Sequence, residues 1–501
     1  MARRKRWRRC SWPSWARRQP RVDVVEQLGQ LLRAAGYARE RHSALGKFPG
    51  GVPPADVLAG VGRTEDARLA VLLALFQRDQ TVAEAAAAEA LAPLLVDDLI
   101  DAGLIEAVGP GVRASTKLLG FDGLLLAGDP IHQSESKHYV VCLSPASVRV
   151  AGVTIRRRVE TALDLGTGSG IQALLAARHA ERVVGADFNP HALSCARLSA
   201  RISGVDNVRW VQGDWFEPVR GRRFDLVVVN PSVIITPDNA AFWRDSPDGG
   251  KALSRRLVRE SADHLNESGF ATVLCHWPHH KDVWEDDPRE WVAELGCDAL
   301  LLQFASQDPL AYAMNNAVHR PDADPAKLAE TVSRWARYYK ETGVERISAG
   351  AIVLRRRSNG QNWTRSFQFQ GGSDRPAGDQ LERMFAGGDF LAAHSGPAQF
   401  RMLLAAKWSL VDGHRLVQTL VPENGAYSPS HAVMMQQPGP NLDAPVDARV
   451  VPVLVGCDGR RSLGEVLSQT PIPDGLDPSG FHSLALSTAR DLIARGFLVE
   501  P

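Results

Sequence analysis

Two patterns of hydrophobic positions alternate along this chain. From residue 23 to about 118 apolar residues recur every three or four places. Val24 to Ala35, Ala67 to Arg78 and Val82 to Leu91 each carry the stripe of a helix. The run from Leu95 to Glu106, followed by Val108 and Val112, predicts a last helix and a wing, the order of a winged-helix module. From about 151 the apolar residues become contiguous, in runs that suit strands buried on both faces: Ala162-Leu163, Val183-Val184, Phe224 to Val229, Ala271 to Leu274 and Ala351 to Leu354. Helical stretches such as Ile171 to Ala177 separate them, which predicts an α/β fold with a parallel sheet. Between these regions, 119–150 reads as a connector with short strands at Leu124 to Leu126 and Tyr139 to Cys142. Gly360, Gly371 and Gly372 make Ser358 to Gly378 a linker or long hairpin. Near the end, Leu463 to Leu467, Ala489 to Ala494 and Phe497-Leu498-Val499 repeat the helix-and-wing order. The predicted divisions are a tail at 1–22, a helical winged-helix-like domain at 23–118, the connector, an α/β domain at 151–357 and a C-terminal domain at 358–501.

The chemistry sits where the predicted strands end. Asp164-Leu165-Gly166-Thr167-Gly168-Ser169-Gly170 closes one strand and opens a helix, a turn whose glycines let a ligand approach the backbone. Asp187 ends the next strand about twenty residues on, where a carboxylate can accept both hydroxyls of a ribose. Gly213-Asp214-Trp215 ends a third, with Asp214 placed to meet an adenine amino group, and Asn230-Pro231 ends a fourth. Each acid alone suits a helix cap or a surface turn. Four strand ends in order converge on one cleft.

These residues resemble the class I S-adenosylmethionine-dependent methyltransferases, and more narrowly the branch of the release-factor glutamine-N5 and ribosomal-RNA guanine methyltransferases. The resemblance rests on Asp164 to Gly170, Asp187, Asn189-Pro190, Asp214 and Asn230-Pro231. It implies a Rossmann-like seven-stranded core. Methionine contacts would come from Asp164 and the loop of Gly166, Thr167, Gly168 and Gly170, ribose contacts from Asp187, and adenine contacts near Asp214. Phe188, Asn189, Gly213 and Trp215 flank the cofactor in the same way, and Asn230 borders it. A looser likeness to multidomain bacterial methyltransferases covers Asp308 to Tyr312 and Gly343 to Ile347. One position departs from the branch, which carries Asn-Pro-Pro and then Phe or Tyr, whereas this chain has Asn230-Pro231-Ser232-Val233. Asn230 and Pro231, the catalytic pair implied by the family, keep the acceptors that orient an NH₂ group. Val233 removes the ring that stacks on a flat acceptor.

For a hydroxyl acceptor a general base is needed, and His276, His279 and His280, just after the apolar Ala271 to Leu274, are the candidates. The six cysteines show no paired spacing, which suits a reduced, cytoplasmic setting and no metal site. No apolar run reaches the roughly twenty residues that span a bilayer. Of the 58 Lys and Arg, nine stand in the first 22 residues with no acid among them, and Trp7, Trp12 and Trp15 lie between. The rest of the chain, with all 57 acids, is net acidic, which disfavours an RNA partner. Ser134 to Lys137 and a lid from Trp243 to Lys251 are further candidates beside the cleft.

The sequence therefore predicts an S-adenosylmethionine-dependent methyltransferase acting on nitrogen or oxygen of a polar small molecule or peptide held beside Asn230. An RNA or protein glutamine-type N-methyltransferase and a non-catalytic cofactor-binding protein are the alternatives. An NAD-dependent oxidoreductase, for which Asp187 is equally suited, has no evident use for Asn230-Pro231. Oligomeric state is left open, a dimer included.

Overall fold

The chain folds into two compact units, one drawing on the chain up to Ser147 and on Ala162–Arg220, the other on Val148–Thr161, Gly221–Asn239 and the chain from Arg244. The computed structural model describes residues 22–39, 64–231, 234–238, 245–246, 251–280, 283–317, 325–358, 360–369, 376–423, 425–436, 442–473 and 475–501. The basic segment before residue 22, Ser232-Val233, Gly371-Gly372 and most of the expected lid at 243–251 lie outside the described residues.

In the first unit α1 (Val22–Ala34) and α2 (Thr64–Phe76) precede β1 (Val82–Ala83), α3 (Glu84–Leu91), α4 (Val96–Asp101) and the hairpin β2 (Ile105–Val108) and β3 (Gly111–Ala114). The helix expected from Val82 starts only at Glu84. Val82 and Ala83 instead pair with Val112 and Gly111, where a β-branched residue fits a pleated surface better than a helical turn. A second hairpin, β4 (Lys117–Phe121) and β5 (Leu124–Gly128), turns on Asp122-Gly123 with both residues at positive φ, +49° and +76°. Asp-Gly suits such a turn. The short strand expected at Tyr139 to Cys142 does not form. In that segment Val140 C=O accepts from the Asp129 amide at 2.9 Å and Tyr139 N–H donates to the Ser136 carbonyl at 3.0 Å, while Val140 N–H goes to the Asp129 side chain instead of a strand.

The α/β part of this unit continues as β6 (Val159–Leu165), α5 (Ile171–Ala176), β7 (Ala180–Asp187), α6 (Pro190–Ser203) and β8 (Val208–Gln212). The three strands lie in that order, with β7 and β8 parallel. Helix α6 serves two neighbours. Leu198 and Ile202 join the core formed by Leu28, Leu32, Leu72, Phe76 and Leu91 of the helical region. Gly29 of α1 lies so close to the Ile202 carbonyl that a Cβ there would collide with it, and Arg33 donates to the same carbonyl at 2.8 Å. On α6, Ser199 accepts from the Ala127 amide at 2.8 Å. Ser203 both accepts from Leu125 N–H and donates to Leu125 C=O at 2.9 Å. Two hydroxyls one helical turn apart thus satisfy the free edge of β5, which would otherwise present unpaired backbone groups.

The second unit holds β9 (Phe224–Val229), β10 (Ile234–Ile235), α7 (Lys251–Asp263), β11 (Leu265–His279), α8 (Asp286–Val292), β12 (Cys297–Gln307), α9 (Pro309–Ala317), α10 (Pro325–Glu341), β13 (Arg346–Arg356) and β14 (Thr364–Gln368). Its sheet order is β14-β12-β13-β11-β9. β11 is parallel to β9 and antiparallel to β13, and β12 is parallel to β14. The first unit supplies β6, β7 and β8 and the second supplies β9, β11, β12 and β13, the number of strands expected of the α/β core; β14 is an eighth. The linker expected at Ser358 to Gly378 contains it. Its sequence, Thr-Arg-Ser-Phe-Gln, has no apolar run to announce a strand, and an ionic network holds it in place. Asp298, wholly buried, accepts from Arg355 at 2.6 Å, from Arg357 at 3.2 Å and from Trp363 N–H at 3.2 Å. Asp389 of α11 (Gly378–Ala393) binds the same two arginines and Trp363 Nε1, and these partners hold its carboxyl below the usual range despite partial burial. Beyond it, strand Lys407–Leu410 lies between Asp458–Ser462 and Leu498–Val499, with helices Leu463–Gln469 and Pro478–Ala494 alongside in chain order.

Asp298→Ala removes the buried anion and leaves two arginine side chains short of a partner. Such a change costs roughly 3–5 kcal/mol, and urea unfolding should show the midpoint falling accordingly, while Asp389→Asn, at the more exposed end, costs less.

Candidate functional site

At the end of β6 a single carboxylate organises the glycine turn. Asp164 Oδ2 accepts from Thr167 Oγ1 at 2.6 Å and from Ala173 N–H in α5 at 2.8 Å, tying strand, loop and helix together. Burial pushes the Asp164 pKa up to about 7, against the opposing pull of those two donors. Its other oxygen, Oδ1, is buried without a hydrogen-bond partner among the described residues. Gly166, Gly168 and Gly170 have φ of +71°, +54° and +89°, a region that side chains disfavour. A Cβ on Gly168 would meet nothing within 4 Å, so the crest of the turn is open. At Gly170 and Gly185 the ring of Trp210 fills the space a side chain would need.

The second acid is brought onto this turn. Asp187 Oδ2 accepts from Gly168 N–H and Oδ1 from Asn189 N–H, both at 2.9 Å, and burial lifts its pKa above the ordinary value. Phe188 beside it is exposed, whereas Asn189 is buried and caps α6 by accepting from His191 N–H at 3.0 Å. Asn189 Nδ2 also donates to the His138 carbonyl at 3.1 Å. A buried pair underneath, His191 Nε2 to Asp129 Oδ1 at 2.8 Å, fixes the first turn of α6, and Asp129 Oδ2 accepts from Val140 N–H at 2.7 Å. Cys195 lies 4.0 Å from the same His191 nitrogen, and burial raises its thiol well above the usual range. Gly213 N–H reaches the Asp187 carbonyl at 3.2 Å. Asp214 is exposed, its carbonyl accepting from Glu217 N–H at 2.9 Å, and Trp215 sits at φ +43°. A left-handed tryptophan is a strained position of the kind found at ligand sites. The first unit thus gathers Asp164, the glycine turn, Asp187, Phe188, Asn189 and Gly213. Trp210, Asp129 and His191 were not evident as site residues, for no local motif marks them.

Asn230 and Pro231 belong to the second unit, at the carboxyl end of β9, where Asn230 is half-buried and Pro231 buried. The segment beyond them is gripped by two tyrosines. Ile235 N–H donates to Tyr312 Oη at 3.1 Å, and Tyr339 Oη donates to the Ile235 carbonyl at 2.6 Å. Tyr312 Oη also hydrogen-bonds His276 Nδ1 at 2.9 Å. Burial, with the Arg149 charge adding to it, pushes the His276 pKa down to about 4, so the ring is neutral at pH 7. The candidate histidines lie largely on β11, which runs to His279 and is paired with β13 from Phe270 to His279. His276 is committed to Tyr312, and buried His279 meets Ser348 Oγ at 3.0 Å. His280 alone of the three is exposed.

Residues 162–245 match the family profile described as a methyltransferase domain, and residues 23–115 match one described as a domain of unknown function (DUF7059). Among curated relatives, the release factor glutamine methyltransferase of Xylella fastidiosa is 42% identical over 126 residues, 23% of this chain and 46% of that protein. The enzyme of the same description from Aliivibrio fischeri is 38% identical over 90 residues, 17% of this chain and 32% of its own. The ribosomal protein uL3 glutamine methyltransferase of Xanthomonas campestris is 30% identical over 131 residues, 24% and 42%. The chain spans about half the length, or less, of these curated relatives. The turn from Asp164 to Gly170, with Asp187 bound to it, lies within the matched residues. These residues form a class I S-adenosylmethionine-dependent methyltransferase domain, in the branch of the glutamine-N5 methyltransferases.

Proposed function

We propose that the chain methylates a side-chain amide nitrogen of a peptide or protein, glutamine being the favoured residue, with the acceptor held beside Asn230. What carries the reading is Asn230-Pro231 at the carboxyl end of β9 in a domain whose relatives are described as glutamine methyltransferases. The first unit fits the donor on its own features. The unpartnered Asp164 Oδ1 and the open Gly168 crest suit the amino-acid end of S-adenosylmethionine. Asp187, pinned by two amides, suits a ribose, and exposed Phe188 offers a ring face for a base. When bound, S-adenosylmethionine supplies a methyl group already activated by its sulfonium.

The protein's own work is then positioning and exclusion of water. The Asn230 side-chain oxygen and the adjacent carbonyl accept from the acceptor NH₂ and so aim the nitrogen lone pair. The Tyr312–Ile235–Tyr339 clamp holds the segment leading away from Asn230. His276, neutral and bonded to Tyr312, supports the clamp and takes no proton from the acceptor; an amide loses its proton to water after transfer. A second reading, a polar small-molecule acceptor, draws on Ser232-Val233, where the branch has Pro and an aromatic ring.

Three outcomes are expected. Calorimetry should show micromolar binding of S-adenosylmethionine to the full chain, weakened at least about tenfold by Asp187→Ala. The donor is cationic and favours ionised Asp164, whose pKa near 7 means the carboxyl takes up a proton as pH falls. Affinity should therefore drop about tenfold from pH 8 to pH 6, and Asp164→Asn should bind weakly with that slope removed. With methyl-labelled donor and glutamine-containing peptides as acceptors, Asn230→Ala should lower kcat by about a hundredfold while leaving donor affinity unchanged. Label transferred to small polar amines but to no peptide would favour the second reading.

A further inference from the structure

Beside the clamped residue Ile235, the second unit contains a groove of about 780 Å³ running along α7, with His279 and His280 also on its lining. Its floor and lip are apolar: Ile235, Pro278, Tyr338 and Val344 line it, and Val283 stands 52% exposed at its edge. One wall is a cation stripe. Lys251, Arg255 and Arg259 succeed one another at four-residue spacing on α7, which puts them on one helix face turned to the groove. Arg256 also lines it and pairs with Glu260 on its own helix at 2.7 Å. The acids on the lining, Asp286 and Asp287, are outnumbered by these four cations.

Ion pairs across the wall do not close the stripe to a ligand. Lys251 meets Asp287 at 2.7 Å and Arg255 meets Glu290 at 3.1 Å, with both arginine and glutamate more than half exposed. An exposed pair such as Arg255–Glu290 holds by at most about 1 kcal/mol, so an incoming carboxylate exchanges with it at small cost. Arg259 donates to the Trp291 carbonyl at 3.3 Å and has no carboxylate partner among the described residues. The groove also lies close to the acceptor position. Ile235 is five residues along the chain from Asn230, at most about 17 Å even fully extended.

We propose that this groove binds an acidic segment of the acceptor protein, anchored by apolar side chains on Tyr338, Val344 and Val283 and by its carboxylates on Lys251, Arg255 and Arg259. It rests on the peptide-acceptor reading given above. A peptide suits the groove better than a nucleic acid does, because Ile235, Pro278, Val283 and Val344 give it apolar lining that a peptide's side chains fill and a phosphate backbone does not. The segment supplies affinity, and Asn230 selects the residue to be modified.

The test is equilibrium binding by fluorescence anisotropy, with the full chain and no methyl transfer required. The probe is a short labelled peptide of leucines and glutamates around one glutamine, its counterpart has lysine for each glutamate, and a single-stranded oligouridylate of equal charge is the third ligand. The glutamate peptide should bind at least about tenfold tighter than the lysine peptide, and its binding should weaken with salt. Arg255→Glu, at an exposed position, should cost about tenfold, and Lys251→Glu should act in the same direction, with thermal unfolding and donor binding unchanged. Equal binding of the two peptides, tighter binding of the oligouridylate, or no loss in both variants overturns the proposal. If the donor does not bind, the methyltransferase reading fails by itself, since the donor residues lie in the first unit.

Discussion

The carboxylate of Asp164 is the constraint around which the donor side of this molecule is arranged. It is taken out of water at the end of a strand and compensated by only two donors, one from the turn and one from the helix beyond. Those bonds fix where the helix begins, and the left-handed glycines between are a result of that fixed distance. The turn then offers the Gly168 amide to Asp187, so the second acid is placed by the first. A buried carboxylate of raised pKa is costly to a fold, and such costs persist where a ligand of opposite charge offsets them.

How much of this could be read from the chain depended on how local the determinants are. Asp164, Asp187, Gly213 and Asn230 each come directly after an apolar run, so strand and site residue are announced within a few positions. The packing of Trp210 against Gly170 and Gly185 was hidden because the contact joins separate elements. The pair of Asp129 and His191 was hidden for the same reason, being 62 positions apart. β14 carries no apolar run to announce it: Ser366 accepts from Arg289 and Gln368 donates to Gln303, while Trp363 just before the strand is held by Asp298 and Asp389. At His276 to His279 polar side chains interrupt an apolar run, yet the strand continues through them on its pairing with β13.

The departure at Ser232-Val233 acquires a physical context from the residues after it. Instead of a stacking ring at that position, the segment is held further on by hydroxyls from two helices, with Asp238 accepting from Trp335 Nε1 at 2.7 Å and from Arg334 at 2.9 Å. The arrangement fixes backbone and leaves a planar surface to be supplied by other groups. Fixing a backbone by its own amide and carbonyl makes the position tolerant of side-chain change, since neither bond involves the side chain of Ile235.

Helix α6 is shared between two regions that separate family profiles match. Its first turn carries Asn189 and His191 under the donor turn, and its last two turns close the core of the region matched by the profile of unknown function. A module joined by a linker can be exchanged or lost during evolution without touching its neighbour. Here a drift at Leu198 or Ile202 is felt by the helical region, and a change in α1 near Gly29 is felt by the helix that seats Asp187's neighbours. The two regions consequently share one core across α6, and removal of either exposes apolar surface of the other.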